Sequence, residues 1–418
     1  MERGTRPRAL VAIAILAFAV RAAAIARGGA RGDEFGDASD YIDHARRLCD
    51  TGTYPAMGGR AIFRPPGFPF FIAAVTGCHP DRVLAIEIAL ALADSVTVIV
   101  IAFLAGAIAG TDRPSWLAAL LAALHPLFVF STSTVATESL FMLLLTLPTW
   151  LLLRAFRAPR SASLGVAGFL AGLAALTRPS ALAVIPFWAV ALALRRRELR
   201  APLLLAVGAT LAVGPWTLRN YLAFGEVIVV NDGAAHTMWV SSHPLMCRLS
   251  ATSDRAEFAR LSADLQREVL RTAKAVAARA PTPGDRRREW RRLFQESVRS
   301  DPGAYAICTL HRMLRYVRPY LDPRAHSRPA VLGSALLIGG LYVFGALGLC
   351  ALWRLDRGVA IFIALYFLLG FLIHAPFHVV MRYRIPYTDP LLISLAVTAL
   401  KGMPRRFAVL RTFAAYSG

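Results

Sequence analysis

The feature that most limits the possible folds is a series of apolar segments close to the length that a helix needs to cross a bilayer. The hydrocarbon core is about 30 Å thick, so a spanning helix takes about 20 apolar residues. Ten such segments lie at about 8–27, 83–109, 115–134, 138–156, 162–178, 180–194, 201–219, 330–353, 358–376 and 386–400. Because lipid offers no hydrogen bonds to the backbone, these segments predict an all-α polytopic membrane protein with about ten transmembrane helices.

The composition agrees with a membrane protein. The chain is 56% hydrophobic and 17% charged, whereas soluble domains are nearer a quarter charged. The net charge of +21 comes almost wholly from arginine, because Lys274 and Lys401 are the only lysines. Many of the cations lie beside apolar segments, where they orient a membrane protein. We therefore expect the lipid bilayer as a partner, and no nucleic acid.

Cations in the termini and short connections assign a side of the membrane to each segment end. If the ten segments alternate in direction, these cations all fall on one side: Arg3, Arg6, Arg8, Arg113, Arg154, Arg157, Arg160, Arg195, Arg196, Arg197, Arg200, Arg354, Arg357, Lys401, Arg405 and Arg406. The positive-inside rule makes that side cytoplasmic, so both termini are expected there. The chain is then a single integral membrane domain, 1–418, whose two long intervals, 28–82 and 220–329, lie outside.

Both outer intervals contain amphipathic patterns. Helical spacing predicts a short surface helix over 38–49 and three helices in the later interval, through Phe258 and Val269, around Trp290, and after the Asp301-Pro302 pair. The same intervals hold four of the five cysteines, and an oxidising outer compartment could join Cys49 to Cys78 and Cys247 to Cys308. Unpaired thiols acting as small hydrophobic groups are the alternative.

The first outer interval carries charges suited to chemistry on an anionic substrate. Asp33, Glu34 and Asp37 lie within a few residues of one another, and Arg64 follows before two prolines. A positioned carboxylate can act as a general base, and a guanidinium group matches phosphate oxygens. Alternatively, Asp37 only caps the helix that follows it, while Asp33 and Glu34 are solvated loop charges.

Further charged residues lie on the outer side in short connections, where the positive-inside rule excludes cations. They are Glu138, Arg178, Arg219, Arg382 and Arg384. Charged groups near a membrane are costly and usually have a partner or a task. A phosphate group at the outer interface would explain why guanidinium groups gather there. The alternative is that the arginines simply extend from helix ends into water.

The signatures of nucleotide chemistry are missing from the sequence. It contains no P-loop, no dinucleotide-binding glycine pattern and no G-x-S-x-G elbow. We predict no metal site and no cofactor, although the sequence leaves a divalent metal at the carboxylates open.

Short motifs along most of the chain match, in order and spacing, those of a known family. They are DASDY at Asp37–Tyr41, RPPGF at Arg64–Phe68, TES at Thr137–Ser139, GLAALTRPSAL at Gly172–Leu182, GPWTLRNYLAFG at Gly214–Gly225 and RYRIPY at Arg382–Tyr387. The chain thereby resembles the GT-C membrane glycosyltransferases, specifically the bacterial relatives of protein O-mannosyltransferases and of the lipid A aminoarabinose transferase. The family's frequent Asp-Glu pair reads Asp37-Ala38 here, while Asp33-Glu34 supplies such a pair earlier. The tyrosine spacing fits Asp37 alone.

The resemblance implies transfer of a sugar from a polyprenyl-phosphate donor to a hydroxyl of a lipid, glycan or protein acceptor. The reaction would occur at the outer face of a bacterial inner membrane, and a single displacement would invert the anomeric carbon. Asp37 is then the expected base, with Asp33 and Glu34 as further catalytic candidates. The expected contacts to substrate or phosphate are Arg64, Tyr41, Glu138, Arg178, Arg219, Arg382 and Arg384. Tyr41 could instead be an interfacial anchor.

Two other functions are compatible with the sequence. A flippase or transporter for a lipid-linked saccharide would use the same arginines, but would be expected to place polar groups at the bilayer midplane on interrupted helices. An O-antigen ligase or polymerase would be expected to work from the later outer interval. The crowding of the polar motifs at one face favours the transferase.

Overall fold

The computed structural model describes residues 5–28, 37–54, 62–111, 113–157, 161–324, 326–377 and 381–402, and these ranges contain helices and no β-strand. In chain order the helices are α1 Thr5–Gly28, α2 Ala38–Thr51, α3 Gly67–Thr76, α4 Val83–Ile108, α5 Trp116–Ala123, α6 Pro126–Thr132, α7 Glu138–Ala155, α8 Ser161–Thr177, α9 Val184–Arg196, α10 Arg200–Phe224, α11 Ala234–Ser242, α12 Pro244–Ala251, α13 Arg255–Arg279, α14 Pro283–Ser300, α15 Pro302–Val317, α16 Arg328–Leu355, α17 Arg357–His374 and α18 Ile385–Gly402. Short 3₁₀ turns lie at Pro179–Ala183 and Met381–Tyr383.

Length and composition confirm an all-α polytopic membrane protein. Among the described residues, seven helical stretches are long and apolar enough to span a membrane: Arg8–Gly28, Val83–Ile108, Glu138–Ala155, Pro179–Arg196, Arg200–Phe224, Arg328–Leu355 and Arg357–His374. Ala162–Thr177 and Ile385–Leu400 are shorter apolar helices that coincide with two further predicted segments.

The predicted segment 115–134 differs, because it forms two short helices instead of one. The break falls at Pro126, which begins α6 and has no backbone N–H to continue the ladder of α5. His125 before it is extended, with φ −67° and ψ 115°, as the residue preceding a proline tends to be.

Small residues allow the membrane helices to approach closely. A Cβ atom added at Gly168 of α8 would lie 2.0 Å from the carbonyl oxygen of Leu205 in α10, and one at Gly208 would lie 2.0 Å from that of Gly165. Glycine at both positions is therefore required for the contact between α8 and α10, as expected where packing rather than hydrophobicity drives helix association. A larger apolar core surrounds this pair and includes the fully buried Trp188 of α9.

The first outer interval folds onto the ends of α4 and α7. Tyr41 and Ala45 of α2 pack against Phe68 and Ile72 of α3 and against Leu90 of α4 in one buried cluster. The helix predicted over 38–49 is thus confirmed as α2, Ala38–Thr51, whose inner face is this apolar stripe. Helix α3, with 10 residues, was not among the predicted helices.

The later outer interval forms a helical layer, α11 to α15. Trp239 and Trp290 anchor one apolar cluster of this layer, and Leu261 and Leu265 anchor another. The helices predicted from Phe258, Trp290 and Asp301 correspond to α13, α14 and α15. The carboxylate of Asp301 accepts a hydrogen bond from the backbone N–H of Ala304 at 2.8 Å, as expected of an N-cap.

The two disulfides that the sequence left open, beside the alternative of unpaired thiols, are both present. Cys49 of α2 is bonded to Cys78 just beyond α3, and Cys247 of α12 is bonded to Cys308 of α15. Cys350, in α16, is a free thiol. Each bridge therefore ties together helices of one outer interval.

Candidate active site

Asp37, the expected base, lies immediately before α2, where a helix cap would lie. Its carboxylate makes no capping hydrogen bond. Instead Oδ1 accepts a hydrogen bond from Nη2 of Arg64, and Oδ2 accepts one from Nη2 of Arg382, each at 2.8 Å. The interpretation of Asp37 as a simple helix cap is therefore wrong, and two guanidinium groups from distant parts of the chain meet at this carboxylate.

Arg64 is held on several sides. Its Nε donates to Oδ2 of Asp40 at 2.7 Å, one helical turn after Asp37. Its guanidinium carbon lies 4.8 Å from the ring centroid of Tyr41, an arrangement that favours a cation. The hydroxyl of Tyr54 donates to the carbonyl oxygen of Arg64 at 3.0 Å and so fixes the backbone that enters α3. The side chain is preorganised before any substrate binds.

A second carboxylate lies beside this pair. Glu138, the first residue of α7, accepts a hydrogen bond from Nη2 of Arg178. Nε of Arg178 also donates to Oγ1 of Thr137 at 2.6 Å. Nε of Arg382 lies 3.4 Å from Oε1 of Glu138, so Arg382 bridges the carboxylates of Glu138 and Asp37.

These six side chains form one network, which we call the outer charge cluster after the side of the membrane that the sequence predicts for it: Asp37, Asp40, Glu138, Arg64, Arg178 and Arg382. The residue before α2, the first turn of α2, the segment before α3, the start of α7, the residue after α8 and the turn before α18 all contribute to it. Asp37 is 26% exposed and Arg64 18%, while Glu138 is 4% exposed. One edge of the cluster is therefore open to a substrate and the other is sealed.

The electrostatics keep Asp37 ionised. Burial acts to raise the pKa of Asp37, but the guanidinium groups of Arg64 and Arg382 outweigh it and hold the pKa below its ordinary value. Conversely, burial acts to lower the pKa of Arg64 and of Arg382, while the surrounding phenol and carboxylate groups raise both. All three groups are charged at neutral pH.

Four predicted site residues lie elsewhere or cannot be placed. Arg384 is almost fully buried and pairs with Asp389 of α18, with its Nε 3.3 Å from Oδ1, so it is turned away from Asp37. Arg219 donates to the carbonyl oxygen of Tyr54 at 3.0 Å and lies outside the outer charge cluster. Asp33 and Glu34 lie outside the described residues.

Sequence reasoning also missed contributors. Asp40 was not predicted as a site residue, yet it lies three residues beyond Asp37, and that spacing places both on one helical face. Tyr383 lies inside the quoted RYRIPY motif, and the guanidinium carbon of Arg178 is 5.0 Å from its ring centroid. The spacing was therefore a usable signal for Asp40, whereas the role of Tyr383 depends on the fold.

Residues 63–216 match the family model described as dolichyl-phosphate-mannose-protein mannosyltransferase. The matched range contains Arg64, Glu138 and Arg178, and it ends before Arg382. No curated protein matches the chain in sequence.

Solved structures of the oligosaccharyltransferase of Archaeoglobus fulgidus share the fold. The structure tethered to an acceptor peptide has 11% identity and a TM-score of 0.57, covering 100% of this chain and 53% of that one. The structure of AglB with an inhibitory peptide and a dolichol-phosphate has 12% identity and a TM-score of 0.53, covering 98% and 52%. The structure with zinc and sulfate has 13% identity and a TM-score of 0.53, covering 98% and 50%. The chain thus spans about half the length of these proteins.

In the described part of this chain, no group of three or more His, Cys, Asp or Glu residues is arranged to hold a metal ion. Both oxygens of Asp37 and one oxygen of Glu138 are occupied by arginine donors instead.

The fold extends over the whole chain, and the family match covers the part that supplies three of the six charges in the outer charge cluster. Together these findings confirm the resemblance to the GT-C membrane glycosyltransferases that the sequence motifs predict.

Proposed function

We propose that the chain is a GT-C glycosyltransferase that moves a sugar from a polyprenyl-phosphate donor to an acceptor hydroxyl. The observation that carries this proposal is the position of Asp37, a partly exposed carboxylate between Arg64 and Arg382 at the end of a membrane helix bundle. Such a site offers a proton acceptor and fixed positive charge side by side. Transfer from a phosphate ester needs both.

In the proposed reaction the acceptor oxygen bonds to the anomeric carbon as the bond from that carbon to the phosphate oxygen breaks. The hydroxyl proton passes to Asp37, acting as general base. The electron pair of the breaking bond leaves with the phosphate, whose growing charge is stabilised by arginines in a partly desolvated site. A single displacement of this kind inverts the anomeric carbon.

Because two arginines bind Asp37, the donor would have to bind before Asp37 can act as the base. While Arg64 and Arg382 hold Asp37, its lowered pKa makes it a weak base. A donor phosphate would compete for the same donors, because guanidinium groups bind phosphate and carboxylate oxygens with equal geometry. Binding of the donor then loosens Asp37 from its partners and raises its basicity. Glu138 keeps its ion pair with Arg178, so this third arginine stays in place.

The membrane helices offer a place for the donor tail. Helices α9 and α10 enclose an apolar groove of about 590 Å³ whose lining includes Leu182, Ile185, Val213 and Leu218. Leu182 lies four residues after Arg178 of the outer charge cluster. A polyprenyl chain in this groove would keep its phosphate near the helix ends where the arginines lie.

We place the site on the outer face of a bacterial inner membrane, with both termini in the cytoplasm. The disulfides Cys49–Cys78 and Cys247–Cys308 support this orientation, because one lies in each of the two long intervals and disulfides persist in oxidising compartments. The cations of the short connections support it as well.

The proposal is tested with purified protein in detergent, a panel of polyprenyl-phosphate sugars, and membrane extract as acceptor. We expect release of polyprenyl phosphate from at least one donor and an inverted anomeric configuration in the product, observed by NMR. Retention of configuration would contradict a single displacement. Transbilayer movement of a lipid-linked saccharide in vesicles, without release from any donor, would contradict the transferase and identify a transporter.

A further inference from the structure

A second cationic site lies in the outer helical layer. A cavity of about 500 Å³ opens between the end of α12, the end of α15 and the chain that leads to α16. Its lining includes Thr252, His311, Arg315, Arg318 and Arg324. None of these residues belongs to the outer charge cluster, and none was singled out by the sequence motifs.

The walls of this cavity carry more positive than negative charge. Asp322 is the one carboxylate in the lining, and Arg324 satisfies it with two hydrogen bonds, of 2.9 Å and 2.6 Å. Arg318 lies 3.5 Å from the same carboxylate. The lining thus holds three arginines against one carboxylate, an excess of two positive charges from these four residues.

Arg315 is the least compensated of the three cations. No acidic partner within ion-pair distance is found for it in the described ranges, and its side chain makes long hydrogen bonds to the carbonyl oxygens of Leu249, at 3.5 Å, and Thr252, at 3.4 Å. Arg324 donates to the same two oxygens, at 3.4 Å and 3.1 Å. Burial, with Arg324 adding to it, lowers the pKa of Arg315 to about 10. An anion in the cavity would relieve this cost.

His311 adds a further donor. It lines the cavity, and its Nδ1 is buried without a hydrogen-bond partner among the described residues. A buried polar atom without a partner is costly, and a bound oxyanion is one way to satisfy it.

We propose that this cavity binds one oxyanion group of the phosphoryl class, carried by the acceptor of the transfer reaction. Three guanidinium groups and an imidazole around a space of this size match the several oxygens of such a group. The assignment to the acceptor rests on the proposed function, whereas the anion site itself stands without it.

The neighbours of the cavity favour the acceptor over the donor. The carbonyl oxygen of Arg318 accepts a hydrogen bond from Nη1 of Arg384 at 3.3 Å. Arg384 follows Arg382 by two residues, and Arg382 binds Asp37. Residues 382–384 therefore link the cavity to the outer charge cluster, while the donor phosphate already has Arg64 and Arg382 in the proposed reaction.

The disulfide Cys247–Cys308 supports a preformed site. It joins α12 to α15 about one helical turn before the residues of each helix that line the cavity. The spacing of the two walls is therefore held covalently, which lowers the entropic cost of binding.

The test measures binding of inorganic phosphate to the purified full-length protein by calorimetry. We expect Arg315→Gln to weaken binding at least about tenfold, because the variant loses a charge-assisted hydrogen bond to the anion. Arg299→Gln, at an exposed arginine of α14, serves as the matched control and should bind as the wild type does. Equal affinity in both variants, or no binding by the wild type at millimolar phosphate, would overturn the anion site.

A second experiment tests whether the bound phosphoryl group belongs to the acceptor or to a lipid headgroup. The wild type and Arg315→Gln are assayed with acceptors that differ only in one phosphoryl group. We expect the ratio of kcat/KM for the phosphorylated acceptor to that for the neutral one to fall about tenfold in the variant. An unchanged ratio with weakened phosphate binding would overturn the acceptor assignment and favour a headgroup, which vesicles with and without anionic lipid would then reveal. If no acceptor is used at all, phosphate binding still decides the anion site separately from the transferase proposal.

Discussion

The chain contains two arginine–aspartate pairs that are alike in chemistry and opposite in setting. Arg21 of α1 pairs with Asp94 of α4, and both side chains are completely buried. Arg64 pairs with Asp37 at the outer ends of the helices, where the side chains are 18% and 26% exposed. The first pair is enclosed by helices that span the membrane. The second is shared with Arg382 and has an edge open to solvent.

The surroundings of the two arginines explain the different roles. Arg21 also donates to the carbonyl oxygens of Ala17 in α1 and Ala123 in α5, each at 2.9 Å, so it ties three helices together. Arg64 has a second carboxylate partner in Asp40, so its guanidinium group bridges two carboxylates. A sealed ion pair specifies packing, whereas an exposed and shared one can bind a substrate.

The largest effect on folding is expected from breaking the sealed pair. Asp94→Leu leaves the Arg21 guanidinium charged and buried, and loss of one partner of a buried pair costs about 3–5 kcal/mol. The double variant Arg21→Met/Asp94→Leu removes both charges and should recover most of that loss. Thermal unfolding in detergent measures both. A single variant as stable as the wild type would show that this pair does not hold the helices together.

The largest effect on activity short of replacing the base is expected at Arg382. Arg382→Gln removes the bridge between Asp37 and Glu138, and loss of one fixed donor to a developing charge typically slows the reaction about 10²–10³-fold. Each carboxylate keeps another arginine, so the protein should still fold.

Arg382→Lys is the sharper comparison at this position. A lysine keeps the charge but presents no planar fork to two carboxylates, so it should not restore the rate. Recovery of full kcat in the lysine variant would show that charge alone, and not the bridging geometry, matters at this position.

The pH dependence of activity should report on the exposed carboxylate of Asp37. The pKa of Asp37 is lowered from its ordinary value of 3.8, so its ion pairs are complete above that value and are lost as the pH falls through the lowered pKa. Removing Arg382 takes away one of the lowering charges. The acid limb of kcat/KM should therefore move to higher pH in Arg382→Gln. A shift to lower pH, or none, would contradict the role of Arg382 in setting the ionisation of Asp37.

The smallest effect is expected at an exposed ion pair between α2 and the chain before α4. Arg46 of α2 binds Asp81 at 2.6 Å, and the two side chains are 41% and 77% exposed. Asp81→Asn should cost about 0.2–1 kcal/mol and leave the transfer rate unchanged, because solvent screens such pairs. A loss of activity comparable to that of Arg382→Gln would mean that activity is sensitive to any charge change near α2. It would contradict the special role given to the arginines bound to Asp37.

Much of the fold could be predicted because lipid imposes simple rules. The apolar segments, the inner face of α2 and the cap at Asp301 all follow from local periodicity and capping. The break at Pro126 was also present in the sequence, yet the apolar run around it concealed it. Arg21 and Asp94 were overlooked too, although charged residues inside apolar segments are a known sign of pairing.

The candidate site was less predictable because its parts are far apart in the chain. Asp37 and Arg64 share one interval, so their meeting was foreseeable, whereas Arg382 is 345 residues from Asp37. Arg382 and Arg384 belong to one motif and were predicted to act alike. The 3₁₀ turn at Met381–Tyr383 separates them, so that Arg382 reaches Asp37 and Arg384 enters the core beside Asp389.

The most direct test is the rate of polyprenyl-phosphate release by Asp37→Asn, measured with whichever donor the wild type uses. Asparagine keeps the shape of the side chain but removes its ability to accept a proton. We expect a variant that folds, binds the donor and releases polyprenyl phosphate at least about 10²-fold more slowly. Full activity in Asp37→Asn would contradict its role as the base and would direct the search to Asp33.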